Sequence, residues 1–314
     1  MEPSVLVVVL PGIGGTVLAE PGPGGRLALD RFGEPRMVWS ASLCDATLLT
    51  NPQRLSLTTF PELVPLGLLP TRMPFGLFTA VHGYERLVQS AASAVPDAVI
   101  DWGEDESNLD ATVVAFGYDF RLGVAHAAGR LDRQLAQRVT RLWGSPERAR
   151  GRVIFVGHSM GGLVARYWTA TTPVPEVVRA IITLGTPHRG APKALDVMAN
   201  GYPVGPIHLT KLRDLAREWP GMWDLLPRYP VIPDTTGSPR AEGGLLRPHE
   251  AGLDWLTQSA RAGWDMHQVI QSGWRALEVP PAVVPRIGFS HRTIRQMWWQ
   301  EGQLRASAEV MERS

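Results

Sequence analysis

Arg152-Val-Ile-Phe-Val156, followed by Gly157-His158-Ser159-Met160-Gly161-Gly162, is the stretch that decides the fold. The continuous apolar run Val153 to Val156 reads as a strand buried on both faces. Leu163 to Trp168 reads as the helix that follows it. Between them, Gly157 to Gly161 has the G-x-S-x-G form of a serine elbow on a sharp strand-to-helix turn. Glycines suit the flanks of such a turn, because a Cβ there would collide with the crossing backbone. The turn lifts the Ser159 hydroxyl above the carboxyl edge of a sheet, with a helix N-terminus behind it to favour developing negative charge. The competing reading is a glycine-rich turn whose serine merely caps the helix. Strand and helix on the correct sides favour the nucleophile. His158 reads as a packed or gating residue, since an elbow points neighbouring side chains in different directions.

Working outward, Val5 to Leu10, Thr112 to Phe116 and Ala180 to Leu184 are runs of the same buried-strand type. Helical patterns alternate with them over Tyr84 to Ala94 and Leu131 to Trp143, where apolar residues recur every three or four positions. Strand, helix, strand, helix predicts an α/β fold with a mostly parallel sheet covered on both faces. Pro11-Gly12-Ile13-Gly14-Gly15-Thr16 leaves the first strand where acyl transfer through a serine needs a loop. Two backbone N–H groups must face the tetrahedral oxyanion, and the expected donors are Ile13 and Met160. A simple strand-exit turn is the plainer alternative for the loop. A dinucleotide-binding loop fits worse, because Gly12, Gly14 and Gly15 do not give G-x-G-x-x-G.

The 314 residues are 44% hydrophobic and carry a formal net charge of +1. A full core is affordable at that length, and near-neutral charge offers no footprint for nucleic acid. Cys44 is the single cysteine, which excludes an intramolecular disulfide. No basic n-region precedes Val5 to Leu10, and no apolar stretch approaches the roughly 18 residues that span a bilayer. The sequence therefore predicts a cytoplasmic protein. It shows no metal-ligand spacing and no cofactor motif, so no cofactor is expected. Oligomeric state is not legible.

Several blocks together resemble the lecithin:cholesterol acyltransferase family within the α/β-hydrolase superfamily. Pro11-Gly12-Ile13-Gly14 is similar to that family's oxyanion loop, and Phe116-Gly117-Tyr118-Asp119-Phe120-Arg121-Leu122 to its Tyr-Asp-Trp-Arg signature. Gly157 to Gly161 resembles its elbow, and Leu184-Gly-Thr-Pro-His-Arg-Gly190 the block after the next strand. Trp219 to Pro230, with Leu225-Leu226-Pro227, resembles an element near its lid. The resemblance implies an α/β-hydrolase fold, acyl-enzyme chemistry on lipid or other acyl esters, and a Ser-Asp-His triad. It also implies that apolar insertions near the active-site mouth contact a lipid surface, although on sequence both insertions read equally well as cover for the core. Tyr118, Asp119 and Arg121 themselves read as structural, a buried Asp–Arg pair fixing a loop.

The expected organisation is one α/β-hydrolase domain over residues 1–314. It carries a proline-rich apolar insertion at about 55–80 and a lid or cap insertion at about 190–252. That second segment, rich in Pro and Gly, reads largely as loop. Ala282 to Gly288 looks like the strand that precedes the family's acid. No Gly-Asp-Gly-Thr-like turn follows it, and Ile294 to Ser314 holds neither aspartate nor histidine. His188, His208, His249, His267 and His291 are poor substitutes for the base. The sequence thus predicts that the C-terminal part of the fold is missing. The alternative function is a truncated or diverged, catalytically weak member that binds lipid or a partner.

Overall fold

The computed structural model describes residues 2–40, 51–69, 83–103, 108–204, 207–288 and 292–310. The chain forms two compact units. The first comprises Met1–Thr186 with Val269–Arg286, and the second Pro187–Gln268 with Ile287–Ser314.

The first unit is built on a six-stranded sheet in the order Ala282–Arg286, Val178–Leu184, Val153–His158, Leu6–Leu10, Val113–Ala115, Ile100–Asp101. Every neighbouring pair in it is parallel. The four strands expected from continuous apolar runs are all present, and the strand expected at 282–288 forms over Ala282–Arg286. Alternation along the strands divides the core into two layers. Val7, Val9, Val113, Ala115 and Val156 face one way and cluster with Val88 of the helix Gly83–Ser93. Phe155 sits in the strand Val153–His158 next to Val156, and its ring meets Trp168 of the helix Met160–Thr171 at 5.6 Å. The mostly parallel sheet with flanking helices is an α/β-hydrolase-like architecture.

Beside that sheet lies a small antiparallel one, Met37–Trp39, Thr16–Ala19 and Val64–Leu68, with Thr16–Ala19 in the middle. Val64–Leu68 occupies an edge, which is where a strand containing Pro65 is tolerated. This sheet takes up the start of the expected apolar insertion. Leu55, Leu63 and Leu69 are buried, so this part covers the protein's own core. The remainder of that insertion, 70–80, lies outside the described residues.

The second unit takes in the expected lid or cap segment. The proline-rich stretch read as loop carries the helices Pro192–Asn200, Thr210–Glu218 and Pro220–Trp223. Pro192 and Pro220 stand at the first helical position, where proline lacks only an N–H that would be unpaired anyway. Arg292–Gln300 and Gln303–Val310 form an antiparallel hairpin. Gly190, at φ 77°, approaches Leu226 so closely that a Cβ would stand 2.0 Å from the Leu226 carbonyl oxygen. Two of the resembling sequence blocks therefore touch.

Among the described residues, no helix is long and apolar enough to cross a membrane.

Candidate active site

Strand register sets up the site. Leu10 pairs with Gly157, and His158 with Leu184, so the loops that follow leave the same carboxyl edge of the sheet side by side. Carboxyl edges of parallel sheets are where such folds place their chemistry.

Ser159 stands between the strand Val153–His158 and the helix Met160–Thr171, at φ 49° and ψ −121°. This backbone conformation is one that residues with a Cβ rarely adopt, and holding it stores roughly 1–3 kcal/mol. Three glycines admit the turn. A Cβ on Gly157 would lie 2.5 Å from the Gly162 nitrogen, and one on Gly161 would lie 2.3 Å from the Leu10 carbonyl oxygen. One on Gly162 would lie 2.1 Å from the Thr186 hydroxyl oxygen. The Ser159 N–H donates to the Leu184 carbonyl at 2.9 Å, which ties the elbow to the next strand. The Ser159 side chain makes no capping hydrogen bond to the helix. The reading of Ser159 as a helix cap therefore fails on geometry.

Ile13 lies in the neighbouring loop, which is held at nearly every other polar position. The Tyr118 hydroxyl donates to the Pro11 carbonyl at 2.6 Å, and Trp39 Nε1 to the Gly14 carbonyl at 2.8 Å. Gly15 N–H donates to the Gly12 carbonyl at 3.0 Å, and Leu69 N–H to the Gly15 carbonyl at 3.0 Å. Gly12 N–H donates to the Tyr84 hydroxyl at 2.8 Å. Ile13 N–H makes no backbone hydrogen bond among the described residues. Met160 opens its helix, where the first N–H groups have no intrahelical acceptor. A Cβ on Gly12 would come within 2.9 Å of the Ser159 Cβ, so the loop lies directly against the elbow.

Tyr84 was not legible as a site residue. Its hydroxyl accepts from Gly12 and lies 2.8 Å from His158 Nδ1. Burial pushes the Tyr84 phenol up and holds His158 down to about 4, so a neutral tyrosine faces a neutral imidazole. Tyr84 also lines a cavity of about 630 Å³, whose walls include Leu66, Leu68, Val88 and Trp102 together with Glu34 and Glu85.

Asp119 and Arg121 are fully buried and paired at 2.6 Å. Asp119 also accepts from Leu63 N–H at 2.9 Å, and Arg121 Nη1 donates to the Phe60 carbonyl at 3.1 Å. The pair pins the segment 55–63, and among the described residues it makes no hydrogen bond to either loop of the site.

In the second unit, His267 is buried with Nε2 3.0 Å from the Asp224 carbonyl. The His249 ring packs 4.6 Å from that of Trp264. His188 lies in the same unit, and His208 falls in the short strand Ile207–Leu209. His291 lies outside the described residues. Arg286, Ile287 and Gly288 leave the strand Ala282–Arg286, with no carboxylate at its exit. No group of three metal-binding side chains occurs among the described residues.

A model of the PGAP1-like alpha/beta domain matches residues 107–202, which contain the elbow. A GPI inositol-deacylase of Kluyveromyces lactis is 51% identical over 45 residues. Those residues are 14% of this chain and span only 5% of that protein's length. Among solved structures, the Tle4–Tli4 complex superposes with a TM-score of 0.50 at 13% identity. That superposition covers 99% of this chain and 85% of the other. At such identity the likeness is one of fold. The chain carries a hydrolase-like α/β domain.

Proposed function

We propose that the chain is a serine-dependent ester hydrolase or O-acyltransferase acting on lipid or other acyl esters. The observation that carries this reading is Ser159 itself, held in a strained elbow with its hydroxyl unspent on the helix. In the proposed chemistry, Ser159 Oγ adds to the ester carbonyl carbon and gives up its proton to a base. The carbonyl oxygen becomes an oxyanion that accepts from Ile13 N–H and Met160 N–H. The alcohol leaves with a proton, and water or a second alcohol takes the acyl group from the serine. The short match to a GPI inositol-deacylase and the blocks resembling the lecithin:cholesterol acyltransferase family both favour an ester of a lipid.

One observation favours a second reading, that of a catalytically weak relative which binds lipid or a partner. The strand exit at Arg286 offers no carboxylate, and both histidines described in the first unit have other neighbours. His158 bonds Tyr84, and His126 lies 3.5 Å from Glu62. Fluorophosphonate labelling separates the two. Covalent labelling of the native chain, abolished by Ser159→Ala, is the expected result. A folded chain that takes no label supports the weak relative and removes the enzyme reading.

A further inference from the structure

The second unit contains a cavity of about 480 Å³ into which three arginines converge. Arg213 and Arg217 lie one turn apart on the helix Thr210–Glu218, which puts both on one face. Arg305 comes from the C-terminal hairpin, with the Trp255 and Trp299 indoles, Asn200 and Gln303 completing the polar and aromatic wall. No described residue that lines the cavity is an aspartate or glutamate.

These cations are poorly neutralised. Arg217 Nε donates to the Met198 carbonyl at 2.7 Å, and its guanidinium lies 4.2 Å from the Trp255 ring centroid. Arg305 donates to two neutral groups, Asn200 Oδ1 at 3.4 Å and Gln303 Oε1 at 2.6 Å. Arg213 alone has a carboxylate partner, Asp214 at 2.8 Å, and that pair is exposed enough to contribute little. Burial, followed by the neighbouring Arg213 charge, lowers the pKa of Arg217, with Asp214 opposing the effect. The Nη groups of Arg213 and Arg217 donate to nothing among the described residues. Half-buried guanidiniums with unspent donors and mutual repulsion are stabilised by an anion. A carboxylate offers one edge to one fork, whereas a phosphate monoester presents three oxygens and up to two charges.

We propose that this cavity binds a phosphate ester, its oxygens on Arg213, Arg217 and Arg305 and its organic part against Trp255 and Trp299. The ester is either a soluble phosphomonoester or the headgroup of a lipid, and the experiment distinguishes the two. Calorimetric titration of the full chain with glycerol 3-phosphate measures the first source. Cosedimentation with phosphatidylcholine vesicles, with and without phosphatidic acid, measures the second.

Saturable binding that weakens with salt is expected in at least one arm. Arg305→Gln and Arg213→Gln should each weaken it about tenfold, the loss of one charge-assisted contact. Arg213→Gln removes only an exposed ion pair, so it keeps the test sharp if Arg305→Gln disturbs the hairpin. Binding of glycerol 3-phosphate without preference for phosphatidic acid identifies a soluble ligand, and preference for those vesicles identifies a headgroup. Absence of saturable binding in both arms overturns the proposal. So does binding that a folded Arg213→Gln leaves unchanged. The readout is binding, so it stands or falls independently of the acyl chemistry at Ser159.

Discussion

Replacing Ser159 by glycine should make the protein more stable than replacing it by alanine, although both remove the hydroxyl. Ser159 sits at φ 49° and ψ −121°, where a Cβ is strained and glycine is at ease. Alanine keeps the Cβ and therefore keeps the strain, about 1–3 kcal/mol. Glycine relieves it but loses roughly 0.5–1 kcal/mol through the greater freedom of its unfolded chain. Ser159→Gly should thus exceed Ser159→Ala by up to about 2.5 kcal/mol, or up to roughly 10 °C in Tm for a unit of this size. Differential scanning calorimetry of the two variants side by side reads the difference, with urea unfolding as a second measure. Both variants should fail to take a fluorophosphonate label. If Ser159→Gly melts below Ser159→Ala, the elbow is not strained, and the argument that stability is given up there for the proposed reactivity fails.

Two further outcomes follow from the groups behind the elbow. Tyr84→Phe removes the acceptor of Gly12 N–H and the partner of His158 Nδ1, so urea unfolding should show a loss of about 1–3 kcal/mol. Its fluorophosphonate labelling should slow roughly tenfold as the loop bearing Ile13 loosens, and unchanged stability together with an unchanged labelling rate would show that Tyr84 holds nothing. The second outcome concerns pH, because burial holds folded His158 down to about 4 against an ordinary value of 6.5. Below 6.5 the unfolded chain takes up a proton that the folded one refuses, so this stability is complete above 6.5 and is lost as pH falls toward 4. Over that window the native chain should lose about 3 kcal/mol more than His158→Gln in urea melts, and parallel pH profiles for the two would contradict a buried neutral imidazole.

How much of the fold the sequence disclosed depended on the length and regularity of each signal. Val5 to Leu10 and Arg152 to Val156 announce central parallel strands because burial on both faces demands unbroken apolar runs. The small sheet was invisible for the opposite reason. Met37–Trp39 has three residues, Val64–Leu68 carries Pro65 and Gly67, and the pairings to Thr16–Ala19 are irregular. The hairpin Arg292–Gln300 with Gln303–Val310 turns through Glu301 and Gly302, both at positive φ, where Asn-Gly would have been the readable signal. In the helix Asp254–Ala276, two glycines lower the intrinsic propensity for reasons of packing. A Cβ on Gly263 would stand 2.0 Å from the Trp223 carbonyl oxygen, and one on Gly273 would stand 2.3 Å from that of Ala170.

The site was legible wherever the backbone carries it. A strand-to-helix elbow and the glycine loop packed against it are local geometries, and local geometry leaves glycines in fixed places, as at Gly157, Gly161 and Gly12. Side chains that act across the fold leave no such mark. Tyr84 lies 72 residues from the Gly12 N–H it accepts from, and any apolar-faced helix could have carried a tyrosine there for packing alone. The same holds for a triad base, which this chemistry recruits from whichever loop reaches the serine, at no fixed spacing. Asp119 and Arg121 show the converse case. Two residues apart, fully buried and hydrogen-bonded to one segment, they form a motif whose spacing is local and whose service is to the fold. A short motif in this chain therefore reports backbone shape, and it reports chemistry only where the shape itself exposes a reacting atom, as we propose for Ser159.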